Sequence, residues 1–291
     1  MFKATFTIIL SALITTLSAA DPTLSLATPF TNNMILQRQS DVPVWGFDTP
    51  GSKITIEFAG QTKSTVADKN GAWSLKLSPL KASVEERNFI VKNNQGTTIT
   101  LKGVLVGEVW FSSGQSNMVW IAAKSMCRDL ATEISKSEKD IPIREININT
   151  VSALYPQHKA TSDGGWKTSK GASNFSALSL SFAHELYREL NVPIGILLSA
   201  HSNTRIEAFT QRQAIETHPN LKGDTKLMHD ADPLTEQGRA AYEKYYTDLL
   251  TWQDQAGKIA VAGGKIPQRP NLPGIAGMWR GPSQFFNGKI N

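Results

Sequence analysis

The chain has 291 residues, 40% hydrophobic and 19% charged, which is globular composition with enough apolar mass for a sizeable core and room for two domains. Its formal net charge of +5 is a mild excess, with the basic residues scattered among acids. Long basic runs and aromatic-basic interleaving are missing, so no nucleic acid is expected as a partner and disorder is not the expected state.

The opening "MFKATFTIILSALITTLSAAD" sets one lysine before an apolar stretch from Phe6 to Leu17, followed by the small residues Ser18, Ala19 and Ala20. It reads as a secretion signal over residues 1–20. The stretch is too short and too rich in Thr and Ser for a comfortable membrane span. A secreted or periplasmic protein is expected, with no span left after the signal is removed. Cys127 is the single cysteine, so no disulfide forms within the chain and stability rests on packing.

Residues 21–103 alternate with period two. Ile54, Ile56 and Phe58 share one face of a strand, as do Trp73, Leu75 and Leu77. The runs are separated by Asp48–Gly51, Asp68–Gly71 and Asn93–Gly96, which carry the Gly, Asn and Pro that reverse a chain. A β-sandwich domain over 21–103 is the expectation. Core packing is the expected role of Trp45, Trp73 and Trp110.

From residue 104 onward the pattern becomes α/β. "GVLVGEVWF" and "VPIGILLSAH" are continuous apolar runs, as in strands buried on both faces of a parallel sheet. Between them, Phe175, Leu178, Phe182, Leu186 and Leu190 recur at helical spacing, with Ser173 or Asn174 available as a cap. Residues 207–263 read as polar helix and loop, clearest as helix in "GRAAYEKYYTDLLTWQDQAGK". The expected class is thus α/β, a parallel sheet with flanking helices preceded by the β-sandwich.

Ser116 follows the first apolar run and precedes "NMVWIAAK", which can start a helix. A serine on a turn from strand to helix exposes its hydroxyl at the sheet's carboxyl edge, beside backbone N–H groups able to receive an oxyanion. Met118 stands where the Gly-x-Ser-x-Gly elbow has its second glycine. Position alone is equally compatible with a serine that caps a helix.

"GEVWFSSGQSNM" resembles the first block of the sialate O-acetylesterase family, SGNH-type serine esterases whose nucleophile is the serine of Gly-Gln-Ser-Asn-Met. "PFTNNMILQRQSDVPVWGFDTPGSKITIEFAGQ" is similar to that family's opening β-domain, "VPIGILLSAHSNTRIEAFT" to its second block and "FFNGKIN" to the start of a later segment. The resemblance implies an SGNH-hydrolase-like sheet in residues 104–291, Ser116 as nucleophile with its own N–H as one oxyanion donor, and Gln115 and Asn117 shaping the turn. It implies an acetylated carbohydrate as substrate, whether sialic acid or another acetylated glycan. No cofactor is implied, and no His/Cys/Asp cluster has metal-ligand spacing. The oligomeric state is not legible.

Two departures stand out. Ser202 and Asn203 replace the paired glycines of the second block, one of which lends an oxyanion N–H in the family; Asn203 tolerates positive φ and Ser202 does not. His201 takes the place of a tryptophan and reads as packing or loop material. The Gln-Gly-Glu-x-Asn and Asp-x-x-His blocks, which in the family supply the remaining oxyanion donor and the base with its orienting carboxylate, are not found before Asn291. The chain therefore resembles the front portion of such an esterase without its catalytic histidine, with an incomplete sheet and apolar surface at its open edge. The alternative is a non-catalytic glycan-binding or vestigial protein.

Overall fold

In the computed structural model, residues 23–151, 155, 159–271 and 273 are described. The secretion signal, His158 and "FFNGKIN" lie outside them.

The first strands are β1 (Ser25–Leu26), β2 (Ile35–Gln37), β3 (Val42–Phe47), β4 (Lys53–Phe58), β5 (Gln61–Val66), β6 (Ala72–Leu77) and β7 (Ser83–Asn93). The expected turns sit between them. Asp68 Oδ1 accepts from the N–H groups of Asn70 and Ala72, and Asn93 Oδ1 from those of Gln95 and Thr97. The β4–β5 hairpin closes through Ala59 and Gly60, both at positive φ, as a two-residue turn matched to strand twist requires. Strands β1, β3 and β6 form an antiparallel three-stranded sheet.

The remaining strands join one seven-stranded sheet, ordered β5, β4, β7, β8, β10, β9, with β2 on the other edge of β8. Strand β8 (Thr98–Gly114) unites it. Its first half pairs antiparallel with β7, and its second half pairs parallel with β10 (Ile194–Ala200), which in turn pairs parallel with β9 (Ile143–Asn147). The boundary expected at residue 103 falls inside this strand, at Gly103, whose φ of +70° accompanies register shifts against β7. One core cluster is shared across that point: Ile54, Phe89 and Trp73 pack with Ile146, Ile148 and Leu197.

Strand β9 supplies the tie between the two halves. Side chains alternate along it, so Ile143 and Glu145 face the helical layer while Arg144 and Ile146 face the shared core. The guanidinium of Arg144 is 1% exposed. It donates to the carbonyls of Asn33 (2.8 Å) and Gly103 and to Glu86 (3.0 Å). Burial pulls its pKa down against the charge of Glu86 and Asp140.

The helical layer comprises α1 (Ser116–Val119), α2 (Arg128–Lys136) and α3 (Ala177–Leu190), followed by α4 (Arg212–Thr217), α5 (Lys222–Ala231) and α6 (Glu236–Val261). Ser176, rather than Ser173 or Asn174, caps α3, its hydroxyl accepting from Ser179 N–H. The cap moves because Ser169–Asn174 forms its own 3-10 helix first. The residues at helical spacing are only partly buried: Phe175 is core and Leu186 packs against it. The helix buries its small face, Ala177, Leu180 and Ala183, while Leu178 is 52% and Phe182 42% exposed.

The reason lies in β8. Beyond Gly107 no described strand pairs with its outer edge, so Trp110, expected in the core, is 43% exposed and meets Phe182 edge-to-face at 5.1 Å. The run "GVLVGEVWF" is buried on both faces only over Val104–Gly107. Trp73 is buried as expected, and Trp45 packs edge-on to Phe30 at 4.8 Å.

Candidate active site

Strand β8 ends in a turn that few residues other than glycine allow. Gly114 has φ +144°, and a Cβ there would lie 2.9 Å from Met118 Cγ. The next residue, Gln115, is the N-cap of α1, and Ser116 is the helix's first residue, exposed to solvent. The helix that "NMVWIAAK" can start lasts one turn. Trp120 turns extended, and the backbone of residues 120–122 bonds to residues 175–177 instead of continuing the helix: Ala122 N–H donates to Phe175 and Ala177 N–H to Trp120. A four-residue helix has little macrodipole, so charge developing near Ser116 would be met by individual N–H groups.

Strand β10 places the second block beside this turn. Ala200 sits opposite Gly114 in parallel register, and His201 N–H donates to the Gly114 carbonyl at 3.0 Å. The chain then turns through Ser202 and Asn203, the latter at φ +57°, a region Asn enters more readily than most residues. Thr204 follows, 3% exposed, and its carbonyl accepts from the Gln115 side-chain amide at 3.2 Å. Gln115, Ser116 and Asn117 thus occupy one turn, and Ser202 and Asn203 the adjacent one.

His201 is fastened by its backbone to the strand that carries Ser116, while its ring Nδ1 lies 3.3 Å from the Thr150 hydroxyl. His218 Nδ1 accepts from Asn220 N–H, and His229 Nε2 lies 3.3 Å from Glu216. Glu108, at the start of the motif, accepts from Arg38 at 2.6 Å and Gln37 at 3.2 Å, a structural role. No group of three or more metal-ligating residues occurs among the described residues, and no described helix is long and apolar enough to cross a membrane.

Sequence reasoning missed Glu145. It lies on β9 at 5% exposure, with both carboxyl oxygens near Ser176 N–H, at 3.2 and 3.1 Å. Burial pushes its pKa up to about 8, against the pull of that N–H and of Lys167. The signal was present in "IPIREININT", where a strand's alternation puts Glu145 and Asn147 on one face. Glu145 lines a cavity of about 270 Å³ at the carboxyl ends of β9 and β10, bounded on one side by Val119 of α1.

Comparison with known proteins gives a consistent picture. The chain is 28% identical over 225 residues to the sialate O-acetylesterase of Rattus norvegicus, covering 70% of this chain and 41% of that protein. With the sialate O-acetylesterase of Homo sapiens it is 27% identical over 210 residues, covering 65% of this chain and 39% of that one. The chain is a homologue of the sialate O-acetylesterases. Its fold is similar to that of a carbohydrate acetylesterase from Xanthomonas citri, with a TM-score of 0.60 and 29% identity over 67% of this chain and 44% of that one. No protein-family model matches the chain. The chain spans about two fifths of the length of the curated sialate O-acetylesterases it matches.

Proposed function

We propose that this protein is an exported serine esterase that removes O-acetyl groups from sialic acid or other acetylated glycans, with Ser116 as nucleophile. The observation that carries the reading is the position of Ser116. It stands exposed at the carboxyl end of a parallel strand, in a turn tied by Gln115 to the turn that holds Asn203.

In this reading, Ser116 Oγ attacks the acetyl carbonyl carbon and passes its proton to a base. The tetrahedral oxyanion receives N–H groups from Ser116 and from Asn203, held at the positive φ that the family's glycine would otherwise supply. Collapse expels the sugar oxygen, which takes the proton, and water then cleaves the acetyl-enzyme to acetate. The base is the histidine of the Asp-x-x-His block that the resemblance implies, and no residue of the 291 is assigned that role. Gln115 and Asn117 hold the turn, and Ser202 starts the neighbouring one. The reaction needs no cofactor or metal in this scheme. Residues 21–103 act as a β-domain supporting the esterase part from 104 onward, and residues 1–20 direct export.

The test is acetate release from O-acetylated glycosides and from p-nitrophenyl acetate, by the protein carrying the Asp-x-x-His block and by its Ser116→Ala variant. Release lost in the variant supports the esterase. Equal background in both supports a glycan-binding or vestigial protein instead.

A further inference from the structure

A ladder of hydrogen bonds connects Glu145 to the turn that carries Ser116. Strand β9 lies one strand beyond β10 from β8, and the buried carboxyl of Glu145 receives Ser176 N–H. Ser176 in turn stands opposite Ile121 in an antiparallel bridge. The bonds of that bridge flank the pair: Ala122 N–H donates to the Phe175 carbonyl and Ala177 N–H to the Trp120 carbonyl, both at 2.8 Å. The N–H of Ser176 is therefore left over by the bridge and goes to Glu145. Trp120 N–H then closes α1 on the Ser116 carbonyl at 3.1 Å.

Helix α1 needs such a hold. Its four residues make one turn, far short of the length at which a helix persists by itself. No residue of α1 is buried, and Met118 packs only in part against the core of the helical layer. The position of Ser116 thus depends on the two ends of the turn. Gln115 ties the first end to Thr204, and Trp120 ties the second to Ala177. Without Glu145, the buried Ser176 N–H between Phe175 and Ala177 would lose its acceptor, which destabilises the segment that grips the second end.

The carboxyl does this work largely as a neutral group. Burial raises its pKa to about 8, against the pull of Ser176 N–H and Lys167. Lys167 and Asp163 are the charged groups that share its cavity, and they pair with each other at 3.4 Å. Leu198 of β10, Val119 of α1 and Ile121 bring no charge to it. A carboxamide in its place would match it in shape and could still accept from Ser176.

We infer that Glu145 is a positioning residue for the nucleophile: through Ser176 it fixes residues 120–122, and with them the end of α1 opposite Gln115. The inference rests on the esterase reading of Ser116.

Amide hydrogen exchange of the chain, resolved to single residues, tests the positioning without any chemistry. Glu145→Leu keeps the volume but offers Ser176 no acceptor. In it the amides of Trp120, Ala122 and Ala177 are expected to exchange about tenfold faster, while those of Ile54 and Ile56 in β4 keep their rates. Glu145→Gln is expected to keep the protection of the unsubstituted chain. In the protein carrying the Asp-x-x-His block, Glu145→Leu should lower kcat for acetate release by about tenfold with little change in KM, and Glu145→Gln should recover most of the loss. Unchanged exchange at the three amides, an equal acceleration in β4, a loss in Glu145→Gln as large as in Glu145→Leu, or an unchanged kcat in Glu145→Leu would overturn the inference. If the unsubstituted protein shows no Ser116-dependent release, the esterase reading fails, and the exchange rates still decide whether Glu145 holds the turn.

Discussion

The side-chain amide of Gln115 donates to the backbone carbonyl of Thr204 at 3.2 Å, fastening the turn that carries Ser116 to the turn after β10. Residues 89 positions apart in sequence are thereby held in one geometry. In the proposed mechanism that bond sets the distance between the nucleophile and the N–H of Asn203. In the protein carrying the Asp-x-x-His block, Gln115→Ala is expected to lower kcat for acetate release by about 10- to 100-fold, the scale of a small misplacement of reacting groups. Its stability cost should stay near 1 kcal/mol, the net worth of one hydrogen bond. Steady-state kinetics beside a urea titration separate the two effects.

Asn203 is held at φ +57°. Asn203→Gly should preserve the turn and change stability by less than about 1 kcal/mol. Asn203→Val places a β-branched residue in the left-handed region and should cost about 1–3 kcal/mol, with loss of acetate release. Melting curves and activity of the two variants check this directly.

Glu145 makes stability depend on pH. Its folded pKa is raised from the ordinary 4.5 to about 8 by burial, opposed by Ser176 N–H and Lys167. A raised carboxyl pKa means the folded state binds the proton more tightly. The stabilisation is therefore complete below about pH 4.5, declines as the unfolded chain ionises, and is gone above about pH 8. The decline is on the order of 5 kcal/mol at about 1.4 kcal/mol per unit. Lys167 and Asp163 share the cavity with it, and their ion pair is partly exposed. Glu145→Gln should flatten the profile between pH 5 and 8, read as urea midpoints across that range.

Arg144 bridges the two halves of the sheet through Asn33, Gly103 and Glu86. Arg144→Leu removes the buried charge but takes the donor from two partly buried carbonyls, and should cost about 3 kcal/mol. Glu86 is 61% exposed, so Glu86→Gln should cost less than about 1 kcal/mol. A comparable loss in both variants would show that the ion pair, and not the carbonyl contacts, holds the joint.

Much of this was legible in the residues. Asp68 and Asn93 announced their turns because their side chains replace backbone partners locally, and Ile194–Ala200 announced a buried strand because nothing polar interrupts it before Ser199. Strand β9 was not legible, since Arg144 and Glu145 break its apolar run; their burial is tolerated only because distant carbonyls and Ser176 N–H receive them. Which face of α3 is buried was not legible, for a different reason. Spacing predicts an apolar stripe, but which stripe is buried depends on the sheet beneath, and at the open edge of β8 Ala177, Leu180 and Ala183 are buried while Leu178 and Phe182 stay partly exposed. In the site, the motif marked Ser116, Gln115 and Asn117, whereas the bond from Gln115 to Thr204 required the parallel pairing of β8 with β10.

The most direct test of the central claim is peptide mass mapping after brief exposure of the protein carrying the Asp-x-x-His block to p-nitrophenyl acetate and an acid quench. The account predicts an acetyl group on the peptide containing Ser116, located on that serine and absent from Ser116→Ala. Acetylation elsewhere, or acetate release that survives intact in Ser116→Ala, would contradict it.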